Sequence, residues 1–276
     1  MANVIIRLPH FSSVKGIVCY YSATGNTRLA ADYVARHLGF ECSLQDVRNG
    51  APDLSKYDFA GFASPTDWLE EPMLMRRFMQ ALPVVKGIPA FVLVTHGGMP
   101  GKTPSNIANA ASEKGFVVVG CHALEAPDNY PPIVAGGRPN DALRPQESDM
   151  RDLDGFISGL RISLTDIAAG KRALPITVKT PMKYRLIPSF SRERSKKGQG
   201  PKHVDAALCT KCGKCAKACP YFAIKLAPLP VFDEAKCMGC WACFNLCPTK
   251  AICTKKFRGK GQYNGPLKRY KEILSR

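Results

Sequence analysis

Eight of the chain's twelve cysteines form a repeat. Cys209, Cys212, Cys215 and Cys219 recur as Cys237, Cys240, Cys243 and Cys247, each 28 positions on, and both runs read C-x2-C-x2-C-x3-C-P. Disulfides would need an oxidising compartment. The N-terminal "MANVIIRLPHF" is not read as a signal peptide, because its apolar piece is only four residues long, short of the roughly 7–15 of a signal core. Structural zinc asks for separated C-x2-C pairs rather than triplets followed by a fourth cysteine and a proline. A [4Fe–4S] cage asks for three thiolates from one tight loop and a fourth from elsewhere, which this spacing provides. In a two-cluster arrangement the fourth cysteine of each run serves the other cluster. Cys209, Cys212, Cys215 and Cys247 would then hold one cluster, and Cys237, Cys240, Cys243 and Cys219 the other. Such crossing keeps two clusters close, as relayed one-electron transfer requires. Cys19, Cys42, Cys121 and Cys253 fall outside the repeat and read as small buried apolar residues.

A second stretch with chemistry in it is "SATGNT", residues 22–27. Hydroxyls beside the free N–H groups of a helix N-terminus suit a phosphate dianion. The elements needed to place it are legible on both sides. "VKGIVCYY" (14–21) is a continuous apolar run, as in a strand buried on both faces. "TRLAADYVARHLG" (27–39) has helical spacing and stops on Gly39. Strands are predicted over 41–47, 57–63, 89–97 and 116–124. Helices are predicted over 72–82, over 105–115 from a Ser105 cap, and from near Glu147 to Gly170. This alternation predicts an α/β fold: a five-stranded parallel sheet, doubly wound, with helices on both faces. In such a sheet ligands bind outside the C-terminal strand ends. The loops there are "SPTDW" (64–68) and "THGGMPG" (95–101). Neither G-x-G-x-x-G nor G-x-x-x-x-G-K-[ST] occurs, which argues against a dinucleotide or nucleoside-triphosphate site.

These motifs carry two resemblances. The cysteine unit, about 48 residues over 207–254, resembles bacterial-type 2[4Fe–4S] ferredoxins, small α+β domains. The front of the chain resembles the flavodoxin family, in which Ser22, Thr24, Gly25, Asn26 and Thr27 match the loop that binds the FMN phosphate. The resemblance implies that Ser64, Pro65, Thr66, Asp67 and Trp68, with Thr95, His96, Gly97 and Gly98, border the flavin ring. Trp68 would stack on the ring or line its rim. His96 reads as a hydrogen-bonding loop histidine, and Gly97 and Gly98 as close backbone approach or a turn. The chain departs from the common flavodoxin pattern in "LEEP" after the second loop and in lacking an acidic cluster in the third. With "APDNYPPI" (126–133), the whole chain looks like the flavodoxin–ferredoxin fusions of the EFR1 type. Asp128, Asn129 and Tyr130 would cover the flavin, contact the ferredoxin unit or form a turn.

The boundaries expected are a flavodoxin-like FMN domain over 1–170, a basic linker over 171–206, the cluster domain over 207–254 and a basic tail over 255–276. Tyr184, Leu186, Ile187 and Phe190 are expected to anchor the linker. Charge divides the same way. Residues 1–170 hold 15 Lys and Arg against 17 Asp and Glu, whereas residues 171–276 hold 24 against 5. That imbalance points to an acidic redox protein or oxidoreductase docking on the C-terminal half, although part of it offsets cluster and cofactor charge. Lys211, Lys214 and Lys217 belong to such a face. No nucleic-acid recognition motif is present, and no apolar run reaches the roughly 18 residues of a membrane span. A reduced, cytoplasmic setting is expected. The function expected is electron transfer between FMN and two [4Fe–4S] clusters and on to a redox partner. The alternative is a flavin-dependent reductase of a small molecule, fed by its own clusters, for which only His96 and Asp67 suggest acid–base work.

Overall fold

The computed structural model describes residues 14–137, 141–187 and 192–276. The N-terminal stretch through Phe11 and the linker's Phe190 lie outside the described residues. Five strands form one parallel sheet: β1 (Lys15–Tyr20), β2 (Glu41–Asp46), β3 (Phe59–Pro65), β4 (Pro89–His96) and β5 (Val117–Glu125), in the order β2-β1-β3-β4-β5. This is the flavodoxin-like doubly wound order, whose switch point lies between β1 and β3.

Alternation along each strand sends side chains to two separate cores. Val18 and Tyr20 of β1 pack with Phe91 and Leu93 of β4 under α1 (Asn26–His37) and α5 (Glu147–Ala168). Ile17 and Cys19 pack with Val92 and Val94 under α2 (Met73–Ala81) and α3 (Thr103–Glu113). Gly61 on β3 leaves room for the neighbouring strand's aromatic ring, since a Cβ there would fall 2.4 Å from the Phe91 ring. Helix α3 starts two residues before the expected Ser105 cap. Pro104 fits its first turn, where no N–H partner is needed, and Ser105 instead donates from Oγ to Lys102 O at 3.0 Å. A short helix α4 (Pro131–Gly136) follows β5.

After α5 the chain runs extended along the sheet edge. Ile176 N–H donates to Val118 O at 2.8 Å, and Val178 packs on the α2/α3 core. Two short helices follow, α6 (Met182–Arg185) and α7 (Arg192–Gln199). Of the expected anchors Tyr184 is buried, but Leu186 is 78% exposed: the single turn of α6 has room to bury one face only.

The cysteine-rich unit is built from two short antiparallel pairs. β6 (His203–Val204) pairs with β9 (Ile252–Cys253), and β7 (Ile224–Ala227) with β8 (Leu229–Phe232). One short helix follows the opening cysteines of each run, α8 (Lys214–Ala218) and α9 (Ala242–Asn245). The chain then returns to the first unit. Helix α10 (Lys268–Leu274) lies on α1, with Tyr270 and Leu274 fully buried in the α1/α5 core. Arg36 of α1 donates to Leu274 O at 2.6 Å and to Arg276 O at 2.5 Å. Basic though it is, the tail is an ordered part of the fold. Among the described residues no helix is long and apolar enough to cross a membrane.

Candidate functional site

The crossed division of the cysteines appears directly in space. One cavity is lined by Cys209, Cys212, Cys215 and Cys247. A second is lined by Cys219, Cys237, Cys240 and Cys243. In each, three cysteines come from one run and the fourth from the other. Four cysteines lining one cavity suit a polynuclear cluster.

The two cavities differ in their surroundings. In the second, burial pushes the Cys240 thiol up to about 11 and Cys243 up as well. In the first, exposed Cys212 is lowered, chiefly by the backbone N–H of Lys214, while burial raises Cys215. Trp241, buried at the start of α9, lines the second cavity and packs edge-on against buried Phe244, 5.3 Å between ring centres.

The sheet's C-terminal edge opens into a cleft of about 370 Å³. Ser22, Thr24, Asn26 and Thr27 line one end, beside the N-terminus of α1. Gly25 enters that helix at φ 107°, in the left-handed region that glycine tolerates, and its N–H donates to Ser22 Oγ at 3.0 Å. Gly25 itself does not line the cleft; the tail covers it, and a Cβ there would lie 3.0 Å from the Pro266 ring. Thr27 and Thr95 share a hydroxyl–hydroxyl bond of 2.7 Å beneath the loop. Pro65, Thr66, Asp67, Trp68, Thr95, His96 and Gly97 also line the cleft. Ser64 and Gly98 do not: Ser64 is fully buried, with Oγ donating to Pro65 O, and Gly98 N–H donates to His96 Nδ1 at 3.0 Å.

Trp68 is held by a tight turn. Asp67 N–H donates to Glu70 O and Glu70 N–H to Asp67 O, with Trp68 and Leu69 at φ 56° and 65° between them. Two consecutive non-glycine residues in this region store strain, on the order of 1–3 kcal/mol each. Lys102 N–H clamps the turn from below by donating to Leu69 O at 2.7 Å. The chain's second tryptophan, Trp241, also takes a left-handed backbone, at φ 60°. Tyr130 stands between them, its ring 5.1 Å from Trp68 and 6.3 Å from Trp241, edge-on to both.

Of the cleft's third wall, sequence reasoning named Asp128, Asn129 and Tyr130 but missed the residues of the cysteine-rich unit. Gly239, Cys240 and Trp241 line it, from the cysteine-rich unit, together with Asp128, Asn129 and Tyr130. A hydrogen-bond chain ties the units together at the helix end of the cleft. Asn245 donates to Asn129 O at 2.9 Å, and Asn129 donates to Thr24 Oγ1 at 2.8 Å. Asn245 Oδ1 accepts from Tyr263 N–H, and Tyr263 Oη donates to Asn26 Oδ1 at 2.8 Å. Asn26 donates in turn to Pro127 O. The signal for this wall was present only as "APDNYPPI", whose partners lie more than 100 residues away.

Comparison with known proteins finds a family match in the cysteine-rich unit. Residues 208–251 match the family model described as the 4Fe-4S dicluster domain. A 57-residue stretch is 44% identical to a component of the ion-translocating oxidoreductase complex of Methanosarcina acetivorans, covering 20% of this chain and 22% of that protein. The chain thus spans about a fifth of that relative's length. Among solved structures, a flavodoxin of Streptococcus pneumonia is 20% identical over 54% of this chain and 98% of its own, with a TM-score of 0.41. The flavodoxin of Megasphaera elsdenii is 15% identical over 52% and 98%, with a TM-score of 0.40. The flavodoxin-like fold rests on the strand order.

Proposed function

For a chain that joins a flavodoxin-like domain to a 4Fe-4S dicluster domain, we propose an electron-transfer protein with FMN in the shared cleft and a [4Fe–4S] cluster in each cysteine-lined cavity. Electrons pass between flavin and clusters and on to a redox partner. One observation carries this reading: Cys240 and Trp241 line both the cleft and the second cavity. A group in the cleft and a group in that cavity therefore share a wall. The first cavity, with exposed Cys212, becomes the end that meets the partner.

The residues fit both groups. FMN exchanges one or two electrons and a cluster exchanges one, so the pair connects two-electron with one-electron carriers. The cleft volume of about 370 Å³ falls in the ordinary range of small-molecule sites. Among the described residues no Lys or Arg lines it; the α1 N-terminus and the Ser22 and Thr24 hydroxyls would hold the phosphate. Trp68 and Tyr130 supply the aromatic walls for the ring. Cys209, Cys212, Cys215 and Cys247 hold the first cluster, and Cys219, Cys237, Cys240 and Cys243 the second. Trp241 and Phe244 keep water from the shared wall.

The relative's place in an ion-translocating oxidoreductase complex supports a protein partner, and the basic half suits an acidic one. His96 accepts from Gly98 N–H through Nδ1. This holds the ring in place, as in a hydrogen-bonding loop histidine. Anaerobic purification with iron, sulfide and flavin analysis tests the assignment. About eight irons and one FMN per chain are expected. About four irons, or no flavin, would overturn it. Turnover of a small substrate with reductant and no protein acceptor would shift the reading to the reductase.

A further inference from the structure

Lys202 is the one buried Lys or Arg among the described residues, at 8% exposure. Its ammonium lies 3.6 Å from Cys237 Sγ and 4.7 Å from the centre of the Trp241 ring. It thus touches both the second cavity, which it helps to line, and the wall that cavity shares with the cleft. We propose that Lys202 raises the reduction potential of the cluster held by Cys219, Cys237, Cys240 and Cys243. This rests on the assignment of that cluster to the second cavity, and not on the flavin.

The physical argument has two parts of the same sign. Reduction adds one negative charge to a cluster. A fixed cation stabilises the added charge, and does so more strongly when buried, where neither water nor salt screens it well. An N–H directed at a ligand sulfur also draws electron density from it, a recognised lever on cluster potential. The ammonium sits between a ligand sulfur and the face of the Trp241 ring, both of which favour a cation. Glu234 does not cancel it. That carboxylate accepts from the Lys202 backbone N–H at 3.4 Å and pairs with the Lys196 ammonium at 3.5 Å, so its charge is already balanced by a second cation. Lys196 donates as well to Cys237 O at 3.0 Å.

Among the described residues the first cavity has no buried lysine or arginine. The lysines that line it, Lys211 and Lys214, are exposed, and water and ions weaken their effect. An asymmetry of this kind makes the flavin-facing cluster the better resting place for an electron.

The test is an anaerobic redox titration of the full chain, read by the electron paramagnetic resonance of the reduced clusters. Wild type is measured first. Fewer than about eight irons, or a single reducible cluster, would defeat the cluster assignment itself before any variant is compared. With wild type loaded, Lys202→Met and Lys202→Gln are expected to keep both clusters. Both should lower one midpoint potential, leave the other in place, and show the same shift at low and high salt. Lys202→Arg, which keeps the charge, is expected to stay near wild type. The proposal is overturned if both midpoints are unchanged in the neutral variants. It is equally overturned if Lys202→Arg shifts as they do, or if the neutral variants lose the second cluster. Those outcomes would make the lysine a packing or assembly element.

Discussion

Cys219 belongs to the first cysteine run but lines the second cavity. Cys219→Ala is therefore expected to cost the cluster beside Trp241, taking iron from about eight to about four per chain. Cys247→Ala should cost the other cluster, and the two can be told apart by the spectra of the reduced proteins. A loss from the wrong cavity in either variant would refute the crossed pattern. His122 offers a test by pH. It is half-buried and stacks on Phe156 at 5.3 Å. Burial lowers its pKa from 6.5, against the pull of Asp152 and Asp149. The unfolded chain therefore takes up the proton first, and stability falls as pH drops through about 6.5. Above that pH the residue contributes no slope. His122→Gln should flatten the wild-type decline between about pH 7.5 and about pH 5.5 in urea unfolding, and an unchanged slope would refute the assignment. At this scale the sequence was legible where chemistry is written locally. The cysteine spacing is such a case. Lys202 was not, because its sulfur partner lies 35 positions away and no local pattern marks the contact.

The elements of the sheet were readable because the strands other than the polar edge strand β2 are largely apolar runs and each helix has its own period. Helix α10 was not. Its core residues Tyr270 and Leu274 stand at i and i+4, which is a helical signal, but seven residues among lysines are too few to announce a buried face. Its weight can be measured. Tyr270 is fully buried and donates from its hydroxyl to Asn26 O at 3.4 Å. Removing so large a buried ring typically costs about 3–5 kcal/mol. Tyr270→Ala should lower the denaturation midpoint of the flavodoxin-like unit by a corresponding amount and weaken flavin retention through Asn26. Full stability in that variant would mean that α10 only rests on the surface. The strained turn at Trp68 and Leu69 was equally hidden, since neither residue is a type that favours positive φ.

Over the whole molecule, the sequence shows charge asymmetry plainly, and the structure places exposed Lys211, Lys214 and Lys217 on the cysteine-rich unit, two of them lining the first cavity. Association with an acidic partner is expected to slow as ionic strength rises from about 0.05 M to about 0.5 M, where the Debye length shrinks to a few ångströms. A rate independent of salt in stopped-flow mixing would remove electrostatic steering. What no reading of separate segments could supply is the route of the chain: out through the edge strand, through the cysteine-rich unit, and back to α1. Because α10 completes a core begun some 250 residues earlier, the cluster unit is topologically a guest inserted into a host that closes after it. A guest moored at both ends behaves unlike a domain on a leash. One protease cut in the extended stretch near residues 171–180 should leave two fragments that elute together, with clusters and flavin still at their native separation. Only a second cut, between the last cysteine and α10, should set the guest adrift.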